Sequence, residues 1–312
     1  MRTLHRCLLR AFAALVSLFA PGLHAAPLEV VSSFSILSDF VQTVGGERVR
    51  VTTLVPTGTD AHNFQPRPSD ARRLRAAQLV VAGGLGFDPW MERLARSAGY
   101  TGPFVVASEG IEPIAALAAH DHGHGHEAHR DAIDPHAWQD VAKASQYVGN
   151  IAKALAAADP GGAQQYQHNA QRYQAELAAL DAEIRQSLQR IPPERRKVVS
   201  GHDAFGYFAH AYGVRFLAPA GISNQSEASA SGVARLIRQL RSEQVPAVFV
   251  DNIGDARLIE RIRKESGARM GGTLYSDALS APDGPAASYV AMMRHNLATL
   301  LDALAPAEAV SR

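Results

Sequence analysis

A chain of 312 residues, 46% of them hydrophobic and 20% charged, carries enough apolar material for about two cored domains, which excludes a disordered, fibrous or polytopic membrane protein. Its 31 basic and 30 acidic residues give a formal charge of +1, and no basic run lies outside the extreme N-terminus, so nucleic acid is not an expected partner. A single cysteine, Cys7, excludes disulfides and thiolate metal sites, while 13 histidines leave imidazole sites open.

In chain order, Arg2, Arg6 and Arg10 precede the apolar run 11–20, followed by Pro21-Gly22 and small residues ending at Ala25-Ala26. This is the pattern of a secretory signal peptide over residues 1–25. The run is shorter than the about 20 residues a membrane span needs. Cys7 precedes the run and does not occupy a lipoprotein cleavage site, so a soluble, exported, non-lipidated protein of the periplasm is expected. Loss of the three arginines leaves 28 basic against 30 acidic residues and no cysteine, a composition that tolerates an oxidising compartment.

Beyond the leader, apolar runs at 28–33, 49–55, 79–83 and 104–108 read as strands separated by helical periodicity, and a second set lies at 197–200, 214–218, 247–251 and 268–275. Strand–helix alternation predicts α/β architecture with parallel sheets, four strands in each of two similar lobes. Between them Ala163, Tyr166, Ala170, Tyr173, Leu177, Leu180, Ile184 and Leu188 recur at three- and four-residue steps, with Asp159-Pro160 before and Pro192-Pro193 after. These residues form one amphipathic helix, roughly 40 Å long, that can run along both lobes as a strut. The expected division is residues 26–158 for the N-terminal lobe, 159–191 for the linking helix and 192–312 for the C-terminal lobe.

One segment breaks the globular composition: His120, His122, His124, His126 and His129 fall within ten residues. It has nothing to pack with and is expected to form a mobile loop that collects metal weakly. Four other candidate ligands are expected shortly after strands: His62, His136, His202 and Asp277. Loops at the carboxyl ends of parallel strands are where open α/β sheets bind ligands. Two of these residues come from each lobe, so they meet only in the cleft between lobes, where three imidazoles and a carboxylate make a four-coordinate site suited to Zn²⁺. Asp134 and Pro135 help set the backbone before His136, and Asp60 or Asp203 is expected to hold an imidazole tautomer. His168, His210 and His295 are read as non-ligands.

Five motifs carry a family resemblance: Thr59-Asp60-Ala61-His62 with Pro66-Arg67-Pro68-Ser69-Asp70; Gly83-Gly84-Leu85-Gly86-Phe87-Asp88-Pro89-Trp90; Asp134-Pro135-His136-Ala137-Trp138; His202-Asp203-Ala204-Phe205-Gly206-Tyr207-Phe208; and Leu274-Tyr275-Ser276-Asp277. Across nearly the whole mature chain the sequence resembles the periplasmic high-affinity zinc and manganese solute-binding proteins of ABC transporters. The resemblance implies two lobes joined by a rigid helix, a metal in the cleft on His62, His136, His202 and Asp277, and delivery to a permease in the inner membrane. Manganese members carry a carboxylate at the position of His202, so histidine there, like the His-rich segment, points to zinc. The first motif departs slightly, with Asp-Ala-His where Asp-Pro-His is common.

Chemistry agrees with that order, because imidazole nitrogen suits zinc, copper and nickel, whereas manganese prefers more oxygen donors. A manganese carrier of the same family is the first alternative. The second is a secreted zinc hydrolase, which three protein ligands plus water could serve, but there is no His-Glu-x-x-His helix and no evident general base. The third is an interaction module with a structural metal, and such a metal would not need ligands divided between two lobes. The expectation is a monomeric carrier with no enzymatic activity, with a periplasmic metallochaperone as a candidate second partner.

Overall fold

The computed structural model describes residues 26–116, 133–222 and 229–305. The expected leader, 1–25, and the His-rich segment, 120–129, lie outside the described residues.

The first half runs β1 (Leu28–Phe34), α1 (Ser35–Gly45), β2 (Val49–Val55), α2 (Pro68–Ala76), β3 (Leu79–Ala82), α3 (Trp90–Ala98), β4 (Phe104–Val106) and α4 (Val141–Ala158). Its four strands pair in parallel in the order β2-β1-β3-β4. Parallel neighbours need a crossover, and α1 to α3 supply them while covering the sheet, which is why β1 and β3 are buried almost throughout. The second half repeats the plan with β5 (Lys197–Val199), α6 (Gly206–Tyr212), β6 (Arg215–Leu217), α7 (Ala230–Ser242), β7 (Ala247–Asp251), α8 (Ala256–Ser266), β8 (Arg269–Leu274) and α9 (Tyr289–Leu304). Its parallel order is β6-β5-β7-β8.

Between the halves lies α5 (Ala163–Gln189), 27 residues long, with Tyr166, Ala170, Tyr173, Leu177, Leu180, Ile184 and Leu188 buried along one stripe. That is the periodic set the sequence predicts except for Ala163, which begins the helix half-buried, and at 1.5 Å per residue the helix reaches about 40 Å.

The lobes touch directly as well as through the strut. The larger core cluster is continuous from Leu28 to Leu304, whereas a smaller one around Val233, Ile237, Leu240 and Ile262 belongs to the second lobe alone. At the boundary Phe40 meets Tyr289 edge-on at 4.8 Å, an arrangement aromatic quadrupoles favour. Hydrogen bonds cross there too: Tyr289 Oη donates to the Trp138 carbonyl (2.6 Å), the Leu279 N–H to Ser35 Oγ (2.9 Å), the Tyr289 N–H to Asp39 Oδ2 (2.9 Å) and the Val141 N–H to Tyr212 Oη (3.2 Å).

Candidate metal centre

The candidate ligands lie in connections that follow the carboxyl-terminal ends of strands in both sheets. His62 lies in the connection from β2 to α2, His202 three residues after β5, and Asp277 three residues after β8. His136 departs from the expected position directly after a strand. About thirty residues separate it from β4, and it stands at the start of a 3-10 turn, Ala137–Gln139, leading into α4. A pairing of Ala115 with Ile133 and a bond from the Asp134 N–H to the Ile114 carbonyl (2.9 Å) return the chain to the cleft just before it.

One donor atom from each of His62, His136, His202 and Asp277 lies within 4.8 Å of all the others. His62 Nε2 faces His136 Nε2 at 3.1 Å and Asp277 Oδ2 at 3.5 Å; His202 Nε2 lies 3.2 Å from Asp277 Oδ2, and His136 Nε2 lies 3.5 Å from Asp277 Oδ1. Two nitrogens each about 2.0 Å from a shared tetrahedral ion would stand roughly 3.3 Å apart, so the spacing fits a common cation. Asp277 Oδ1 is buried without a hydrogen bond, as a donor reserved for a cation would be. His168 and His210 are exposed on α5 and α6, and His295 Nε2 faces the Thr273 carbonyl at 3.1 Å; none of them joins the cluster.

The outer partners differ from the expectation. Asp134 Oδ1 accepts from the His136 N–H (2.9 Å) and lies 2.7 Å from its Nδ1. Asp251 Oδ2 does the same for His202, at 3.0 Å from the N–H and 2.6 Å from Nδ1. Asp60 Oδ1 accepts from the His62 backbone N–H (2.8 Å) and so serves the turn. Asp251 is not visible from sequence because it ends β7 and reaches His202 only because β7 lies beside β5 in the sheet. Two glycines make room for these carboxylates: a Cβ on Gly201 would come within 2.7 Å of Asp251 Oδ2, and one on Gly206 would collide with Asp134 Oδ2.

Asp277 is held from both lobes. Trp138 Nε1 and Gln139 Nε2 donate to the Ser276 carbonyl at 2.9 and 2.8 Å, Asn252 Oδ1 accepts from the Ser276 N–H at 3.2 Å, and Asn296 bonds both backbone groups of Tyr275. The Gly83–Trp90 motif serves His62: Asp88 accepts from the Gly83 and Gly84 N–H groups, Phe87 meets the His62 ring edge-on at 4.4 Å, and Trp90 Nε1 donates to the Ala61 carbonyl at 2.8 Å.

Electrostatics follow from burying three carboxylates against imidazoles. Burial alone would lower the His136 imidazole, but Asp277 and Asp134 together outweigh it and push it up to about 9. His202 is likewise raised well above its ordinary value, burial being overcome by Asp277 and Asp251. Burial would raise the Asp277 carboxyl, yet His136 and His202 hold it well below the usual carboxylate range. The carboxylates therefore favour the protonated form of the His136 and His202 imidazoles, and the two imidazoles in turn favour the ionised form of Asp277.

The chain has known relatives. Residues 30–303 match the family described as "Zinc-uptake complex component A periplasmic". The iron-binding protein YfeA of Yersinia pestis is 31% identical over 295 residues, 93% of this chain and 92% of that protein. The manganese-binding lipoprotein MntA of Halalkalibacterium halodurans is 32% identical over 277 residues, 89% of this chain and 88% of that protein. Among solved structures, the periplasmic zinc binding protein TroA from Treponema pallidum superimposes with a TM-score of 0.82 at 30% identity, covering 90% of this chain and all of that one. Members of the family are substrate-binding proteins of transporters and not enzymes, which removes the hydrolase reading. Such proteins deliver to a membrane permease, and among the described residues no helix is long and apolar enough to cross a membrane. With the fold, the cleft and the match in agreement, this chain belongs to the ZnuA family of periplasmic metal-binding proteins that serve ABC transporters.

Proposed function

We propose that the chain captures Zn²⁺ on His62, His136, His202 and Asp277 and presents it to the transporter. The observation that carries this reading is the donor set: three imidazole nitrogens and one carboxylate oxygen within 4.8 Å. Borderline Zn²⁺ favours nitrogen-rich tetrahedral sites, whereas Mn²⁺ favours more oxygen. Carboxylates on the far nitrogens of His136 and His202 support the reading, since such partners fix the tautomer and raise ligand basicity. Copper(II) would outcompete zinc on raw affinity alone, so selection also depends on geometry and supply.

A manganese or iron carrier is the second reading, and the relatives named for those metals support it. In both, the lobes are residues 26–158 and 192–312 about the linking helix, and the chain acts as an exported, non-lipidated monomer. Competition titration with a chromogenic chelator tests the site: His62→Ala, His136→Ala and His202→Ala should each weaken zinc binding strongly, and Asp277→Ala less, because water replaces an oxygen donor. Wild-type affinity in all four would refute the assignment, and tighter binding of Mn²⁺ or Fe²⁺ than of Zn²⁺ would favour the second reading.

A further inference from the structure

The four donors are supported unequally. His136, His202 and Asp277 have fully buried side chains, while that of His62 keeps 7% exposure. Carboxylates back the Nδ1 atoms of His136 and His202; among the described residues none reaches Nδ1 of His62. The two donor groups flanking the lobe boundary are tied together, because Trp138 and Gln139, next to His136, bond the carbonyl beside Asp277. Separating the lobes would break both bonds and the Tyr289 and Tyr212 crossings together.

His62 has no such tie. Its connection leaves β2 through the exposed residues 56–59, and its ring is steadied on one side by the edge of Phe87. Apart from the local turn bond of the His62 N–H to Asp60, the chain before the ring is held by the indole N–H of Trp90 on the carbonyl of Ala61, a buried bond to the residue adjoining the ligand. Breaking that bond removes the first lobe's side-chain hold on the backbone beside His62 and leaves every bond of the lobe boundary in place.

From this asymmetry we infer that metal leaves by departure of His62 while the lobes stay packed, and that Trp90 is the positioning residue that sets the rate. The inference rests on the reading of the four residues as ligands. Trp90 never touches the metal; it acts through Ala61 on the adjoining ligand. A partner that engages the exposed 56–59 segment would therefore trigger release.

The test is zinc release into excess chelator, followed by stopped flow, on Trp90→Phe, which keeps an aromatic ring and removes the N–H. Removing an outer-shell partner typically changes metal binding about 10- to 100-fold, so release should speed about tenfold. Phe87→Leu, which removes the ring edge from His62, is a second variant expected to act in the same direction. Tyr212→Phe, which loosens the lobe boundary, should change release less than about twofold. The melting temperature of the metal-free protein and the visible spectrum of the cobalt(II)-loaded protein accompany each variant. A merely structural Trp90 would lower the melting temperature and leave release rate and cobalt spectrum unmoved, which would overturn the inference. Faster release from Tyr212→Phe than from Trp90→Phe would also overturn it in favour of lobe opening. In both cases a strongly weakened His62→Ala would leave the ligand reading standing; wild-type affinity in His62→Ala, His136→Ala and His202→Ala would remove that reading and the inference with it.

Discussion

Metal binding should strengthen steeply as pH rises above neutrality. Zinc needs the lone pair of a neutral imidazole, and in the metal-free protein the His136 imidazole is pushed up to about 9, with His202 also raised well above its ordinary value. Each imidazole that must shed a proton contributes about tenfold in apparent affinity per pH unit below its own pKa. From about pH 7 to 9, His136 alone therefore contributes roughly a hundredfold, and His202 steepens the slope. An imidazole at the reference value of about 6.5 would leave affinity nearly flat over that span. Linkage gives the sign for stability: the folded pKa of His136 lies above its unfolded value, so its contribution, about 3 kcal/mol, is fully present below about pH 6.5 and is lost as pH rises through about 9. The loaded protein holds neutral imidazoles, so the gap between loaded and empty melting temperatures should widen with pH. Competition titrations at pH 7, 8 and 9, with calorimetry in two buffers of different ionisation enthalpy to count released protons, measure the effect. Asp134→Asn should reduce the proton count. Flat affinity from pH 7 to 9 with no proton released would refute the electrostatic reasoning.

Gly206→Ala should push Asp134 off the His136 ring and weaken zinc binding about 10- to 100-fold, with about 1–3 kcal/mol of overpacking seen in urea melts. Asp39 caps α9 from the other lobe, and burial pushes its carboxyl up to about 6. A raised acid loses folded-state stability as pH climbs from its unfolded value through about 6, so Asp39→Asn should stabilise by up to about 3 kcal/mol at pH 8 and by little at pH 4 in parallel thermal melts. Deleting residues 120–129 should leave one tight site, remove weaker additional zinc and slow uptake when zinc is scarce, which calorimetry and stopped-flow uptake would read; loss of the tight site would make those histidines primary ligands.

Local features are legible from sequence and long-range ones are not. Buried parallel strands read as continuous apolar runs, so β7 falls where the sequence puts it and β3 ends one residue short of its expected run, and α5 spans the stretch of Tyr and Leu recurrences between its prolines. The four candidate ligands stand out because each sits in a short polar motif beside turn residues. Asp251 does not, because an aspartate ending a strand is ordinary until the sheet order sets it against His202. Proximity in sequence suggests that Asp60 orients a ring, but at two residues' distance its carboxylate caps the backbone N–H instead. Asp134 has the same spacing from His136 and reaches both N–H and ring, a difference that the two-residue spacing does not carry. The ties through Trp138, Gln139 and Tyr289 depend on how the lobes meet, which no local pattern records.

The central claim is that one ion is held by donors from both lobes. A crystal structure of the zinc-loaded protein, with anomalous data collected on both sides of the zinc edge, tests it most directly. The account predicts a single strong anomalous peak about 2.0–2.2 Å from Nε2 of His62, His136 and His202 and from a carboxylate oxygen of Asp277. A peak bound by one lobe alone, or one lying away from these four residues, would contradict it.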